Sequence, residues 1–128
     1  MTGEETHRIR ILIIEDDPTH ATIMRKRLEE ADPAYQVQVA YSGEEGVENL
    51  RKGRYALILL DYNLPDGDGL SILDRLREID RGVPIILVTV EDSASVAVKA
   101  MKRGATDYII KDKDYHNFVQ HLQRIWAL

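Results

Sequence analysis

Short unbroken apolar runs alternate with amphipathic stretches along nearly the whole chain. Ile9, Ile11, Leu12, Ile13 and Ile14 form the first run, which predicts a strand over about Arg8–Glu15. A helix should follow from Pro18, whose missing N–H costs little in a first turn. Asp32-Pro33 should end it. Ile23, Leu28 and the stem of Arg27 are expected on its core-facing stripe. Val37 and Val39 alternate with Gln36 and Gln38, giving a second strand over Tyr35–Ala40. Ser42 and Glu45 have the spacing of a capping box. The helix they open carries Val47 and Leu50 and should stop near Gly53. A third strand is predicted over Tyr55–Asp61, followed by turn formers from Asn63 to Gly69. Leu70, Leu73, Leu76 and Ile79 then repeat at helical spacing. The fourth strand is expected over Pro84–Val90, and a cap at Asp92 or Ser93 opens a helix running to Gly104. Asp107–Lys111 reads as the fifth strand. A last helix from Asp114 carries Tyr115, Phe118, Val119, Leu122, Ile125 and Trp126 on one stripe.

Repeated βα units imply an α/β domain with a parallel sheet. Strands one, three and four are continuous apolar runs, as strands covered on both faces should be. Strand two alternates, as an edge strand would. Right-handed crossovers then favour a doubly wound sheet of order 2-1-3-4-5. In such sheets the binding crevice lies at the carboxyl ends of the strands.

The length of 128 residues suits one domain. We expect it over residues 8–128, with a tail over 1–7. The absence of cysteine excludes disulfides and thiolate metal sites. The net charge of −5 argues against a direct nucleic-acid partner. Met1–Arg10 has no apolar signal segment, and the longest apolar runs are too short to cross a bilayer. A soluble, cytoplasmic protein with no membrane partner is therefore expected. His7, His20, His116 and His121 form no evident ligand set and read as surface residues.

The strand ends carry the chemistry. Strand one ends in Glu15-Asp16-Asp17, strand three in Asp61, strand four near Thr89 and strand five in Lys111. Asp16, Asp17 and Asp61 would repel one another in one crevice. A hard divalent cation removes the conflict, and oxygen donors without Cys or clustered His suit Mg²⁺, with Mn²⁺ as a substitute. Asp61 is placed to act as a nucleophile that forms an aspartyl-phosphate. Lys111 and Thr89 offer an amine and a hydroxyl to phosphoryl oxygens. Each residue also has an ordinary reading: helix-terminal acids, a turn residue, an edge lysine, a β-branched strand residue. Their joint occurrence at four strand ends favours the chemical reading.

The pattern resembles the receiver domain of two-component response regulators, of the chemotaxis-regulator type. The matching residues are Glu15-Asp16-Asp17, Leu59 to Gly69, Thr89, and Gly104-Ala105-Thr106-Asp107-Tyr108-Ile109-Ile110-Lys111. The resemblance implies a flavodoxin-like (βα)5 fold. It implies that Asp61 accepts a phosphoryl group from a histidine kinase or histidine phosphotransfer protein. By the same resemblance, Asp17 is the direct metal ligand, Asp16 reaches the metal through water, and the Asn63 carbonyl adds an oxygen. Lys111 pairs with the acceptor, Thr89 moves toward the phosphoryl group, and Tyr108 is the aromatic switch. The output face would be the fourth helix, fifth strand and fifth helix, serving an attached domain, a separate partner or a phosphorylation-dependent dimer. Such a module is not a conventional enzyme, although it takes up and hydrolyses its own phosphoryl group.

Two departures bear on rates. Val90 stands where many receivers have a small residue, and Asp112 follows Lys111 where proline is common. Asn63, Val90 and Glu91 are expected to tune self-dephosphorylation. Thr19, His20 and Met24 on the first helix are the expected kinase contact. An aspartate-nucleophile phosphatase would carry an acid two residues after Asp61, where this chain has Asn63. A constitutive docking module would not need the acids, Thr89 and Lys111 together.

Overall fold

The computed structural model describes residues 8–90, 94–112 and 115–126. The expected tail over 1–7, Glu91, the cap at Asp92 or Ser93 and the helix start at Asp114 lie outside the described residues. In chain order the elements are β1 (Ile9–Ile14), α1 (Pro18–Ala31), β2 (Tyr35–Ala40), α2 (Gly43–Lys52), β3 (Leu57–Asp61), β4 (Asn63–Leu64), β5 (Gly67–Asp68), α3 (Gly69–Ile79), β6 (Ile85–Thr89), α4 (Ala94–Lys102), β7 (Asp107–Ile110) and α5 (Phe118–Ile125). The main sheet has the order β2-β1-β3-β6-β7, and every pairing in it is parallel. With the small β4–β5 hairpin set aside, this is the expected 2-1-3-4-5 arrangement.

Strand alternation divides the core into two layers. Leu12, Ile14, Ile58, Leu60 and Leu87 face Val47, Leu50, Leu73, Leu76 and Ala100 of α2, α3 and α4. Ile11, Ile13, Leu57, Leu59, Val88 and Ile109 face Met24, Leu28, Phe118 and Leu122 of α1 and α5. Each fully buried Leu or Ile contributes about 1.5–3 kcal/mol by leaving water. The central strands are buried on both faces, which is why they read as unbroken apolar runs.

The local signals act largely as the residues suggest. Ser42 Oγ accepts from Glu45 N–H at 3.1 Å, while Glu45 Oε1 reaches back to Tyr41 N–H at 2.7 Å, one residue before the cap. Gly53 ends α2. On α1 the buried stripe is Ala21, Met24 and Leu28, at spacings of three and four, and Ile23 is only half-buried beside it. Met24 is therefore core and is removed from the expected kinase contact. Likewise Ile72 takes the buried place expected of Ile79, which stays 36% exposed. Within the described residues the last helix runs from Phe118 to Ile125.

The segment after β3 is built rather than loose. Asn63 and Leu64 pair antiparallel with Asp68 and Gly67, and Gly67 has φ +147°, a conformation that favours glycine. Asp66 at the hairpin tip accepts from Gly43 N–H at 2.9 Å and Glu44 N–H at 2.8 Å, capping α2 from a distance. Burial opposes ionisation of Asp66, but the Glu44, Gly43 and Asp66 amides and the charge of Arg75 together outweigh it and hold its carboxyl below the usual range. Among the described residues no helix is long and apolar enough to cross a membrane.

Candidate functional site

Register places the chemistry. Ile14 pairs with Leu60, so Glu15 falls opposite Asp61 at the carboxyl ends of β1 and β3. Glu15 continues the alternation of Ile11 and Ile13, Asp61 that of Leu57 and Leu59, and Lys111 that of Ile109. All three side chains thus lie on the α1/α5 face of the sheet. There Lys111 Nζ donates to Glu15 Oε1 at 2.9 Å and to Asp61 Oδ1 at 3.3 Å. The three side chains are only 8%, 2% and 6% exposed, respectively. Asp61 Oδ1 also accepts from Asn63 N–H at 3.3 Å, which ties the first residue of the hairpin to the carboxylate.

Charge follows from this burial. Burial favours the neutral acid at Glu15 and raises its pKa, with the hydrogen bond and charge of Lys111 in opposition. Burial would lower the pKa of Lys111, but the Glu15 hydrogen bond and the charges of Asp61 and Glu15 prevail and raise it above the ordinary lysine value. Burial likewise pushes the Tyr115 hydroxyl up to about 12.

Both folded values of Lys111 and Tyr115 exceed their unfolded ones, so the native state binds more protons above pH 10. The stabilisation is complete below the ordinary values of 10.5 and 10.0 and is lost as pH rises through the folded ones. Denaturant titrations from pH 10 to about 12 should therefore show stability falling with pH, with a shallower fall in Tyr115→Phe. A flat profile would contradict the shifts.

Carboxylate oxygens of Glu15, Asp16 and Asp61 lie within 4.8 Å of one another, close enough to share one cation. Three carboxylates with one lysine leave a negative excess that a hard divalent ion would offset. Asp17 is not in this group. It is the N-cap of α1, with Oδ1 accepting from Thr19 N–H at 2.9 Å and His20 N–H at 3.3 Å. The His20 amide, opposed by desolvation and joined by the Thr19 amide, holds its carboxyl below the usual range. The acid cluster thus holds Glu15, which sequence reasoning passed over, in the place expected of Asp17. The physical reason is alternation: Glu15 points with Asp61, while Asp17 has left the strand and begun the helix.

Two further expected residues, Thr89 and Tyr108, fall on the other face of the sheet. Thr89 is 1% exposed at the end of β6 and continues the alternation of Leu87. Its carbonyl accepts from Lys111 N–H at 2.7 Å. Tyr108 pairs with Leu87 and packs, half-buried, against the α2/α3/α4 layer. Thr89 and Tyr108 therefore share that face. Val90 is 59% exposed at the rim. The Asn63 side chain is exposed, and Glu91 lies outside the described residues.

A family model described as the response regulator receiver domain matches residues 11–123. The chain belongs to the response regulator receiver family. It is 33% identical over 123 residues to the transcriptional regulatory protein ZraR of Escherichia coli (strain K12). That match covers 95% of this chain but 27% of the relative, so the chain spans about a quarter of that protein's length. A CheY-like response regulator receiver domain protein from Methanospirillum hungatei JF-1 superposes with TM-score 0.81 and 27% identity, covering 91% of this chain and 92% of that one. A Burkholderia pseudomallei response regulator solved with a phosphorylated aspartic acid, calcium ion and citrate gives TM-score 0.81 and 25% identity, covering 93% of this receiver and 67% of its counterpart. The flavodoxin-like receiver fold and the place of this chain in two-component signalling follow from the family.

Proposed function

We propose that this receiver is a phosphorylation-controlled switch in which Asp61 is the phosphoacceptor. The observation that carries the reading is the buried Lys111 ammonium shared between Glu15 and Asp61 at the mouth of the sheet. An Asp61 oxygen attacks the phosphorus of a phosphohistidine on a kinase or phosphotransfer protein. The O–P bond forms as the N–P bond breaks, and the departing imidazole nitrogen takes up a proton. Lys111 turns from the carboxylate toward the incoming phosphoryl oxygens. Glu15, Asp16, Asp61 and the Asn63 carbonyl would hold Mg²⁺, or Mn²⁺ in its place. When bound, that ion offsets charge on the phosphoryl oxygens.

Release follows by attack of water on phosphorus, which breaks the bond to Asp61, and Asn63 and Val90 flank its approach. Thr89 moves toward the phosphoryl group and frees space for Tyr108. That shift biases the surface of α4, β7 and α5 between two arrangements. The occupant of that surface would be an attached output domain, a separate partner or a second receiver. A groove of about 410 Å³ beside Lys111, lined in part by Thr19, His20, Ile23 and Val90, is the candidate seat for the donor.

The test is labelling by phosphoramidate, a small phosphodonor that needs no kinase. Wild type should gain one phosphoryl group in a Mg²⁺-dependent reaction, and Asp61→Asn should gain none. Equal labelling of the two proteins would refute the assignment.

A further inference from the structure

Tyr115 stands against the site without belonging to the strand-end set. Its φ of 55° is the one positive value at a non-glycine among the described residues, an unfavourable backbone for a bulky side chain. The turn is closed by Tyr115 N–H donating to the Asp112 carbonyl at 3.0 Å. It leaves the residue 3% exposed, its ring edge-on to His20 of α1 and to Phe118 of α5, each with centroids 5.7 Å apart. The Lys111 ammonium lies 5.9 Å from the same ring centroid.

The phenol oxygen is buried and makes no well-directed hydrogen bond, although Lys111, Glu15 and Asp61 are near enough for their charges to act on it. A phenylalanine would fill the slot between His20 and Phe118 without burying a lone hydroxyl, and unpartnered buried polar groups are costly. Core filling therefore does not account for a tyrosine here. An ammonium carries three N–H donors. Two of those on Lys111 serve Glu15 and Asp61, and one remains.

We infer that Tyr115 is a positioning residue for Lys111, its unpartnered hydroxyl standing ready to accept from the ammonium when the bond to Asp61 is given up. This rests on Asp61 being the phosphoacceptor. As phosphoryl transfer draws Lys111 away from Asp61 Oδ1, the ring and hydroxyl limit where the amine can turn. The ammonium then meets a phosphoryl oxygen rather than swinging toward solvent.

The test compares wild type with Tyr115→Phe, which keeps the ring. Two quantities are read: the rate of Mg²⁺-dependent labelling by phosphoramidate, and the ¹⁵N–¹H signal of the Lys111 ammonium in lysine-labelled protein. Labelling should slow by about tenfold or more, the effect of losing one hydrogen bond to a charged group as the ammonium moves. The Lys111 signal should shift or broaden, which loss of packing alone would not cause. A Tyr115→Phe rate equal to wild type overturns the inference. If wild type itself fails to label, the phosphoacceptor assignment fails instead. In that event an unchanged Lys111 signal in Tyr115→Phe would also overturn the positioning role.

Discussion

Replacing Lys111 with methionine should lower the unfolding free energy at neutral pH by about 3 kcal/mol and abolish efficient phosphorylation. The ammonium is the cation set between Glu15 Oε1 and Asp61 Oδ1, and all three side chains are more than nine-tenths buried. Methionine keeps most of the apolar stem but removes the charge. Two buried carboxylates then face each other with Asp16 close by. Breaking a buried pair costs more than the pair contributed, because the remaining charge has no compensation. Protonation caps the cost, since Glu15 is already inclined by burial toward its neutral form. The deficit should therefore shrink as pH falls and as Mg²⁺ is added. Urea unfolding at neutral and mildly acidic pH, with and without Mg²⁺, measures all three effects. Equal stability of variant and wild type at neutral pH would show that Lys111 does not hold the acids together.

Alanine at Gly69 should destabilise the domain by about 2–3 kcal/mol and slow labelling by about tenfold or more. A Cβ there would stand 2.7 Å from the Asp61 carbonyl oxygen and 2.8 Å from Tyr62 Cα. Both are backbone atoms, so no side-chain rotation relieves the clash. Gly69 N–H also donates to the Tyr62 carbonyl at 2.6 Å, seating the start of α3 on the peptide next to the phosphoacceptor. Any outward shift of α3 is thus transmitted to Asp61. Thermal unfolding and phosphoramidate labelling of Gly69→Ala read the two effects. A variant as stable and as fast as wild type would mean that this close approach is relaxed in solution.

Much of the fold was legible because the chain separates its signals cleanly. β1, β3 and β6 are buried on both faces and carry unbroken apolar runs, whereas β2 has one neighbour and alternates. Together with right-handed crossovers, those facts order the sheet and bring Asp61, Thr89 and Lys111 to one rim. The hairpin of β4 and β5 was not legible, since two residues per strand carry no periodicity. Its anchor, Asp66 on the α2 amides, joins residues more than twenty positions apart.

Within the site, Glu15 was passed over because the adjacent acids Asp16 and Asp17 were read as one unit. Counting alternate residues from Ile11 through Ile13 leads to Glu15, and that signal was available. No comparable signal marks Tyr115. Its place on an apolar stripe is visible in the sequence, but the positive φ that sets its ring beside Lys111 and His20 is not.

Borohydride reduction after labelling tests the central claim most directly, because it converts an aspartyl-phosphate to homoserine and records its position. Peptide mapping of wild type labelled with phosphoramidate and Mg²⁺ should find homoserine at position 61. Homoserine at another acid, or none in protein that has taken up a phosphoryl group, would contradict the account.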